Sequence, residues 1–258
     1  MPRERKRVLI TGAGSGIGRA LAVEAAKRGM FVAAFGRRRE ALEETLALLG
    51  SPNGHFAVAG DITQPADRRR LIDRIASEWG ALDLLINNAG IMEGGSLGDC
   101  DDEALARMFD TNVVGPIALT RDLKPLLANA RPSRVVNIGS IFGDIPYPLF
   151  AAYSASKFAL RGFSIALRRE WKEKGISVTY AAPRATRTAI LAHVEHLMSK
   201  VRADTPERVA VQIWRGIANG ATSVYAPGPE RVFVFIQRVF PRVIDRALST
   251  RSSASRPA

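Results

Sequence analysis

A strand-like run followed by a glycine-rich turn and a helix-like segment constrains the fold of this chain more than any other feature. Residues 7–11 read RVLIT, residues 11–18 read TGAGSGIG, and a helical pattern covers 16–29. Glycines let the backbone approach a phosphate group closely, and the free N–H groups at the start of a helix attract an anion. The segment therefore predicts a dinucleotide-binding βα unit, although its glycine spacing differs by one residue from the usual fingerprint.

The candidate cofactor contacts of this unit are Thr11, Gly12, Ser15, Gly16, Ile17 and Gly18. A tight βα turn that binds no ligand would also use glycines, so the motif alone leaves that alternative open. The motif follows a predicted strand and opens a predicted helix, and this context favours the binding site.

Apolar strand-like runs alternate with amphipathic segments along most of the chain. The predicted strands cover 7–11, 31–35, 55–59, 82–87, 134–139, 176–181 and 223–226, and the predicted helices cover 16–29, 40–49, 65–79, 102–127, 151–174 and 205–219. Strands that are apolar on both faces indicate a parallel sheet covered by helices on each side. Pro116 is expected to kink or divide the longest helix.

We therefore predict an α/β fold of Rossmann type. A single domain over residues 1–228 would contain a doubly wound parallel sheet of about seven strands flanked by helices. Residues 229–258 would form an amphipathic, basic C-terminal extension without being an independent domain. Its last residues, from 249 onward, are small and polar and are expected to be disordered.

The end of the second predicted strand indicates which nicotinamide cofactor the chain prefers. In NAD(H)-binding domains an acidic residue usually holds the ribose 2′-hydroxyl at this position. Gly36 stands there instead, and Arg37, Arg38 and Arg39 follow. Guanidinium groups can hold a 2′-phosphate bidentately, and no carboxylate repels it. The sequence therefore favours NADP(H) over NAD(H), with Arg37 and Arg38 as contacts and Arg39 as a solvated helix residue.

Charge and reactive side chains disfavour several other classes of function. The formal net charge is +12, but the basic residues are spread along the chain without a nucleic-acid-binding motif, so we expect no nucleic-acid partner. The three histidines lack a metal-ligand pattern, so we expect no metal site. The one cysteine, Cys100, fits a reducing, cytoplasmic compartment. Neither a signal-peptide core nor an apolar run of about 20 residues is evident.

Tyr153 and Lys157 lie four residues apart, so a helix places both on one face. Their free side chains titrate near pH ~10 and ~10.4, far from neutrality. An ammonium group one helical turn away lowers the cost of forming a phenolate. The pair therefore predicts a proton-exchanging device, against the alternative of a packed tyrosine beside a surface charge.

Five motifs occur in the order found in the short-chain dehydrogenase/reductase family, which the chain resembles from residue 7 to about 226. They are TGAGSGIG at 11–18, NNAG at 87–90, TN at 111–112, Ser140 after the fifth strand, and Tyr153-x3-Lys157. The resemblance implies a Rossmann-type sheet, an NAD(P) cofactor and interconversion of alcohols and carbonyls. It also implies a homodimer or homotetramer formed through the helices at 102–127 and 151–174.

The resemblance assigns cofactor contacts beyond the glycine turn. Asp61 and Ile62 would flank the adenine ring. Asn88, Ala89 and Gly90 would line the adenosine ribose and support the sheet.

The resemblance also assigns catalytic roles. Ser140 would donate a hydrogen bond to the substrate oxygen, Tyr153 would exchange its proton, and Lys157 would bind the nicotinamide ribose. Asn112 would interrupt its helix and hold a water molecule that relays protons to solvent.

The loop after the sixth predicted strand departs from the family pattern of Pro-Gly followed, four residues after the Gly, by Thr. This chain has Pro183, then Arg184 in place of glycine, and then Thr188, which would contact the carboxamide. Arginine disfavours the positive φ that glycine allows. We therefore expect either a different backbone here or an Arg184 side chain that points into the substrate pocket as an anion-binding group.

Residues 229–248, PERVFVFIQRVFPRVIDRAL, form an amphipathic pattern that Pro241 is expected to split into two helices. Four arginines, at positions 231, 238, 242 and 246, fall on one narrow face, and apolar residues cover much of the opposite side. Such a segment can lie in a membrane interface, or it can pack on the domain or a partner subunit. With a predicted helical lid at 189–203, it suggests an apolar, lipid-like substrate and peripheral contact with the inner face of a membrane.

The leading hypothesis is an NADPH-dependent enzyme that interconverts a small-molecule carbonyl and a secondary alcohol by hydride transfer. One alternative is a non-catalytic, NADP-binding regulatory protein on the same fold, but the intact Asn112, Ser140, Tyr153 and Lys157 set argues against it. The other is a charge-driven membrane-surface or nucleic-acid-binding protein, whose binding would weaken steeply with salt and would not depend on NADPH.

Overall fold

A seven-stranded parallel sheet forms the centre of the protein. The computed structural model describes residues 5–50, 53–198 and 203–252. The strands are β1 (Arg7–Thr11), β2 (Phe31–Gly36), β3 (Phe56–Ala59), β4 (Leu84–Asn87), β5 (Ser133–Ile138), β6 (Ile176–Ala182) and β7 (Ser223–Tyr225). Their order is β3-β2-β1-β4-β5-β6-β7, and every neighbouring pair is parallel. The predicted single-domain, doubly wound α/β fold is confirmed.

Helices cover both faces of this sheet. They are α1 (Gly16–Lys27), α2 (Arg39–Ala47), α3 (Pro65–Trp79), α4 (Asp102–Phe109), α5 (Gly115–Asp122), α6 (Lys124–Asn129), α7 (Ala151–Glu170), α8 (Ala189–Val194), α9 (Pro206–Ala218), α10 (Glu230–Val239) and α11 (Pro241–Ser252). Successive β1 side chains point to opposite faces. Val8 and Ile10 are buried with residues of α1, α2 and α9, whereas Leu9 is buried with residues of α3, α5, α6 and α7.

The segment predicted as one long helix over 102–127 is divided, but not at Pro116. A π-helical turn, Asp110–Val114, separates α4 from α5. Pro116 lies directly after this turn, at the second residue of α5. The interruption therefore comes from the extra residue of the π turn, which carries the buried Asn112.

Two other predicted segments differ from the structure or lie partly outside it. Helix α11 continues to Ser252, so residues 249–252 of the predicted disordered tail are helical. The rest of that tail, 253–258, lies outside the described residues. The predicted lid begins as α8 and a 3₁₀ turn, Glu195–Leu197, and its residues 199–202 are likewise not described. Within the described ranges, no helix combines the length and apolar character that crossing a bilayer requires.

Pro241 separates α10 from α11, as predicted, but α10 packs with its polar side toward the domain. Glu230 and Arg238 form ion pairs with residues of the domain. Among the apolar residues of α10, Val234 is buried, whereas Val232 is 57% and Phe235 is 62% exposed. The main apolar face of α10 therefore does not pack on the domain, and contact with a membrane or with a partner subunit stays a prediction.

Candidate active site

A cleft of about 1110 Å³ runs along the carboxyl ends of the central strands. Most of the predicted site residues line it: Gly12, Ser15, Gly16, Ile17, Arg37, Arg38, Asp61, Ile62, Asn88, Ala89, Gly90, Ser140, Tyr153, Lys157, Pro183 and Thr188. The glycine turn and the two arginines lie on the β1–β2 side. The β5–β6 side is closed by residues of α8 and α10.

Thr11 and Gly18, which we predicted as cofactor contacts, lie behind the wall of the cleft. Thr11 is fully buried, and its hydroxyl oxygen accepts the N–H groups of Asn88 at 3.0 Å and Ala89 at 2.9 Å. At Gly18, a Cβ would collide with the carbonyl oxygen of Gly12. Both residues therefore support the cradle by joining β1 to β4 and α1 to β1, and neither lines the cleft.

The beginning of α1 provides the features that a pyrophosphate group requires. Gly12 has a φ of +66°, which places the turn in the left-handed region. The helix begins after Ser15 with no side-chain cap and no acidic residue in its first turn. Its first N–H groups therefore lack side-chain partners and remain available to an anion. Ser15, Gly16 and Ile17 line the cleft at this point, so the residues present fit a dinucleotide.

Arg37 and Arg38 are exposed at the end of β2 and line the same part of the cleft. Neither forms an ion pair within the part of the chain that the structure describes. Arg39 begins α2 and does not line the cleft, as expected for a solvated helix residue. The nearby carboxylate of Asp61 accepts hydrogen bonds from the N–H of Thr63 at 2.8 Å and from its hydroxyl at 2.9 Å.

Ser140, Tyr153 and Lys157 meet where β5 ends and α7 begins. The Nζ atom of Lys157 lies 5.6 Å from the ring centroid of Tyr153 and donates to the carbonyl oxygen of Ile138 at 3.4 Å. Burial raises the pKa of Tyr153 to about 12, and a hydrogen bond with Ser140 offsets part of this rise. Burial lowers the pKa of Lys157 to about 8, which leaves the amine mainly protonated at neutral pH.

Burial dominates the pKa of Tyr153 in the protein alone. The expected contribution of the Lys157 ammonium to phenolate formation stays a prediction. Desolvation raises this pKa because a phenolate buried in this wall loses its hydration. An accessible phenolate therefore requires additional positive charge beside Tyr153.

Asn112 does not line the cleft but stabilises the wall behind it. Its Oδ1 atom accepts the N–H of Ile91 at 2.8 Å, and its Nδ2 atom donates to the carbonyl oxygen of Ile91 at 2.9 Å and to Ser156 Oγ at 3.1 Å. Gly90 allows this approach, since a Cβ there would lie 3.1 Å from Asn112 Oδ1 and 3.4 Å from Lys157 Nζ. The side-chain amide is thus engaged with the protein, while Oδ1 keeps a second lone pair that could accept a hydrogen bond.

Arg184 is not the anion-binding group that we considered. Its Nε and Nη2 atoms donate to the two carboxylate oxygens of Asp204 at 2.7 and 2.8 Å, and Nη1 donates to Glu230 at 2.9 Å. Its backbone also avoids the left-handed region, because Leu149 is the one non-glycine residue with positive φ in the described ranges. The arginine therefore joins the loop after β6 to the start of α10.

A second ion-pair cluster anchors the end of α10. The side chain of Asp144 is fully buried and contacts Arg161 Nε at 3.2 Å, Arg238 Nη2 at 2.8 Å and the Tyr225 hydroxyl at 3.1 Å. Asp144 follows the Ser140 turn, and Arg161 lies one helical turn beyond Lys157 on α7. Sequence reasoning missed this cluster and the Arg184 cluster, because their members are separated by many residues and form no local motif.

Part of the cleft is mainly apolar. Its lining includes Met92, Phe142, Tyr147, Ile190, Leu191, Met198 and Phe233. The rings of Phe142 and Tyr147 stack with centroids 5.4 Å apart and planes 5° apart. A ligand portion bound here would exchange water for aromatic and aliphatic contacts.

The remaining candidate reactive residues lie away from the cleft. Cys100 is partly exposed, and its contact with Asp101 is weak at 3.7 Å. His55 accepts the N–H of Val32 at Nδ1, and burial lowers its pKa. In the described part of the chain, no group of three or more His, Cys, Asp or Glu residues could hold a metal ion.

Sequence comparison identifies the relatives of this chain. A family model described as short chain dehydrogenase matches residues 6–198. The Bacillus subtilis (strain 168) oxidoreductase YxnA is 32% identical over 93% of this chain and 70% of its own length. The 11-beta-hydroxysteroid dehydrogenase-like 3 protein of Arabidopsis thaliana is 34% identical over 95% of this chain and 81% of its own length.

Solved structures agree with this relationship. A short-chain dehydrogenase from Streptomyces avermitilis superposes with a TM-score of 0.83 at 28% identity, over 99% of this chain and 100% of that one. A Burkholderia phymatum member in complex with NAD has the same TM-score at 24% identity, over 94% and 96% of the two chains, and shares the fold. The chain belongs to the short-chain dehydrogenase/reductase family and is an NAD(P)-dependent oxidoreductase that interconverts carbonyl and alcohol groups.

Proposed function

We propose that this oxidoreductase uses NADPH to reduce an apolar carbonyl compound to a secondary alcohol, and catalyses the reverse oxidation, with Tyr153 as general acid and base. One observation carries the proposal. Ser140, Tyr153 and Lys157 share a cleft with the uncapped start of α1 and with the exposed Arg37 and Arg38.

The two hydroxyl groups would hold and protonate the substrate oxygen. When bound, the cofactor supplies a hydride for reduction and a positively charged nicotinamide for oxidation. Ser140 and Tyr153 donate hydrogen bonds to the carbonyl oxygen and stabilise the negative charge that it develops. Tyr153 then transfers its phenolic proton to that oxygen. Because burial keeps the Tyr153 pKa near 12, the phenol is fully protonated and ready to act as the acid.

Lys157 and Asn112 would complete the proton path. The Lys157 ammonium stabilises the phenolate left after proton transfer, and it holds the nicotinamide ribose at the same time. Asn112 keeps the π turn against Ile91 and Ser156, which fixes the wall behind Lys157. We propose that a water held by this turn returns protons from solvent.

The other predicted contacts would bind the cofactor along the cleft. Asp61 and Ile62 would flank the adenine, and the Asn88–Gly90 backbone would line the adenosine ribose. Thr188 would contact the carboxamide, Pro183 would be a further cofactor contact, and Arg37 with Arg38 would hold the 2′-phosphate. Neither guanidinium group has an ion-pair partner among the described residues, and this supports the choice of NADPH.

Replacing Arg37 and Arg38 together with alanine tests the cofactor preference. We expect the KM for NADPH to rise about tenfold or more, since charge-assisted bonds to the phosphate are lost, while the KM for NADH changes little. The Arg39→Ala variant is the matched control and should behave like the wild type. Equal losses with both cofactors would contradict the proposed 2′-phosphate contact.

The C-terminal helices would bring the cleft to a lipid surface. Val232, Phe235 and Val239 are exposed on α10, and Phe240 and Val243 continue this apolar surface. Arginines at 231, 242 and 246 suit anionic headgroups. We propose that residues 229–258 extend the catalytic domain over 1–228 and contact the cytoplasmic face of a membrane, where a lipid-like substrate would enter.

The helices α4–α7 offer a second surface, for self-association. Leu105 on α4 and Phe158 on α7 are each 37% exposed. We propose that these helices form a homodimer or homotetramer. Sedimentation of the Phe158→Glu variant should show a smaller species than the wild type, and an unchanged species would argue against this interface.

A substrate panel tests the reaction itself. NADPH oxidation should be followed by absorbance with ketones, quinones, steroids and long-chain acyl carbonyls, and apolar carbonyls should give the highest kcat/KM. NADPH binding without turnover on any member of the panel would instead favour a non-catalytic binding protein.

A further inference from the structure

We propose that Tyr180 is a positioning residue for catalysis, because its phenol holds the backbone of Ser140 in the orientation that directs the serine hydroxyl to Tyr153. The proposal rests on the proposed roles of Ser140 and Tyr153. It adds a residue of β6 that no sequence motif indicates.

The hydrogen bonds between Tyr180 and Ser140 occupy both backbone groups of the serine. The Tyr180 hydroxyl donates to the Ser140 carbonyl oxygen at 3.2 Å and accepts the Ser140 N–H at 3.4 Å. Gly143 also donates to that carbonyl at 2.9 Å, but the Ser140 N–H has no further partner among the described residues. Losing the phenol would therefore free the serine backbone at the point where β5 ends.

Two glycines on either side of Ser140 admit the tyrosine ring. A Cβ at Gly139 would collide with the ring of Tyr180, and a Cβ at Gly143 would collide with its hydroxyl oxygen. Tyr180 is 2% exposed, so the ring has a single well-packed position. The turn therefore packs closely around the Tyr180 phenol, and the backbone of Ser140 has little room to adopt another conformation.

The Tyr180 phenol is a neutral hydrogen-bond donor that does not change its protonation state. Burial raises the pKa of Tyr180 well above its ordinary value, with a further contribution from the Asp144 carboxylate, so the phenol stays protonated. Ser140 in turn accepts the N–H of Phe142 at 3.2 Å and lowers the pKa of Tyr153 by a hydrogen bond. A looser Ser140 would weaken that bond and its interaction with the substrate oxygen.

The Tyr180→Phe variant keeps the ring and removes the hydroxyl. We expect kcat to fall about tenfold, less than the 10²–10³ loss for deleting an oxyanion donor outright, while KM stays within about twofold. In alcohol oxidation, the pH at half-maximal kcat should move upward because the Tyr153 pKa rises. A merely structural role would lower the melting temperature without moving this pH profile.

Tyr225→Phe is the matched control. It removes a partly buried phenolic hydroxyl from the neighbouring strand. This hydroxyl contacts Asp144 and not Ser140. Its kcat and pH profile should stay at wild-type values. If Tyr225→Phe produced the same shift as Tyr180→Phe, the specific action through Ser140 would be refuted.

A double-variant cycle with Ser140→Ala separates the role of Ser140 from that of Tyr180. If Ser140→Ala alone keeps full kcat, the proposed function fails. If it loses activity, adding Tyr180→Phe should cause no further loss, because the phenol would act only through the missing hydroxyl. An additional tenfold loss in the double variant, or full activity of Tyr180→Phe in the wild-type background, would overturn the role of Tyr180.

Discussion

Helices α7 and α10 both direct polar side chains toward the domain, but their outer faces differ. On α7, Tyr153 and Lys157 are buried beside the cleft. On α10, Glu230 and Arg238 are held by ion pairs, while Phe235 on the outer side is 62% exposed. Buried polar groups need partners. This requirement places polar side chains in the wall of the cleft on α7, and on α10 it leaves the apolar surface facing outward.

The two helices also differ in how the partners of their inward polar groups are placed along the sequence. In α7, the inward polar groups meet partners that belong to recognisable motifs, such as Asn112 with Ser156. In α10, the partners Arg184 and Asp144 lie 46 and 94 residues away along the chain. Four predictions test this comparison.

The largest effect is expected for Tyr153→Phe on α7. Removing the proposed general acid should lower kcat by about 10²–10⁴-fold. NADPH binding, measured by fluorescence titration, should change little because the cofactor wall remains. A variant with wild-type kcat would exclude Tyr153 from proton transfer.

The next effect concerns the anchor of α10. Asp144→Asn removes the carboxylate charge that faces Arg161 and Arg238, and we expect the free energy of unfolding in urea to fall by about 2–3 kcal/mol. The control is Asp122→Asn, whose partly exposed ion pairs with Arg68 and Arg121 should contribute about 1 kcal/mol or less. Equal losses in the two variants would mean that the Asp144 cluster stabilises the fold no more than a partly exposed ion pair does.

The outer face of α10 gives a smaller effect. The double variant Phe235→Glu, Val239→Glu should change the free energy of unfolding by about 0.5 kcal/mol or less, since both residues are exposed. Its partitioning onto anionic vesicles should fall about tenfold or more. The Leu48→Glu control, at an exposed residue far from α10, should bind vesicles like the wild type. Unchanged partitioning of the double variant would refute membrane contact through α10.

The smallest effect is a pH dependence of stability. The pKa of Lys157 is about 8 in the fold, below the ordinary value of 10.5. Between these values the unfolded state binds more protons, so the contribution of Lys157 to stability rises with pH. Relative to Lys157→Met, the wild type should gain about 1 kcal/mol between pH 7 and 9. A constant difference across this range would contradict the burial of the amine.

The fold and most of the site followed from local sequence patterns. The alternation of strands and helices predicted the sheet, and the glycine turn and Tyr153–Lys157 spacing predicted which residues line the cleft. These signals are visible because they depend on neighbours along the chain. The π turn at Asn112 was foreseen as an interruption only through family resemblance.

Two predicted site residues have partners that the sequence did not indicate. The hydroxyl of Thr11 accepts two N–H groups from the segment that follows β4. Arg184 carries a charge that suits an anion, but two carboxylates from distant segments neutralise it. Such pairing depends on tertiary structure, and no local pattern encodes it.

The most direct test of the proton-exchange mechanism is the titration of Tyr153 itself. The chain has four tyrosines, so protein labelled with ¹³C at the phenolic carbon gives few signals, and the Tyr153→Phe variant identifies the relevant one. Without cofactor, this signal should show no ionisation up to pH about 10.5, because the pKa is about 12. With saturating NADP⁺, the positive charge beside the ring should bring the ionisation of Tyr153 into that range. A Tyr153 signal that stays protonated up to pH about 10.5 with NADP⁺ bound would contradict its role as the base in alcohol oxidation.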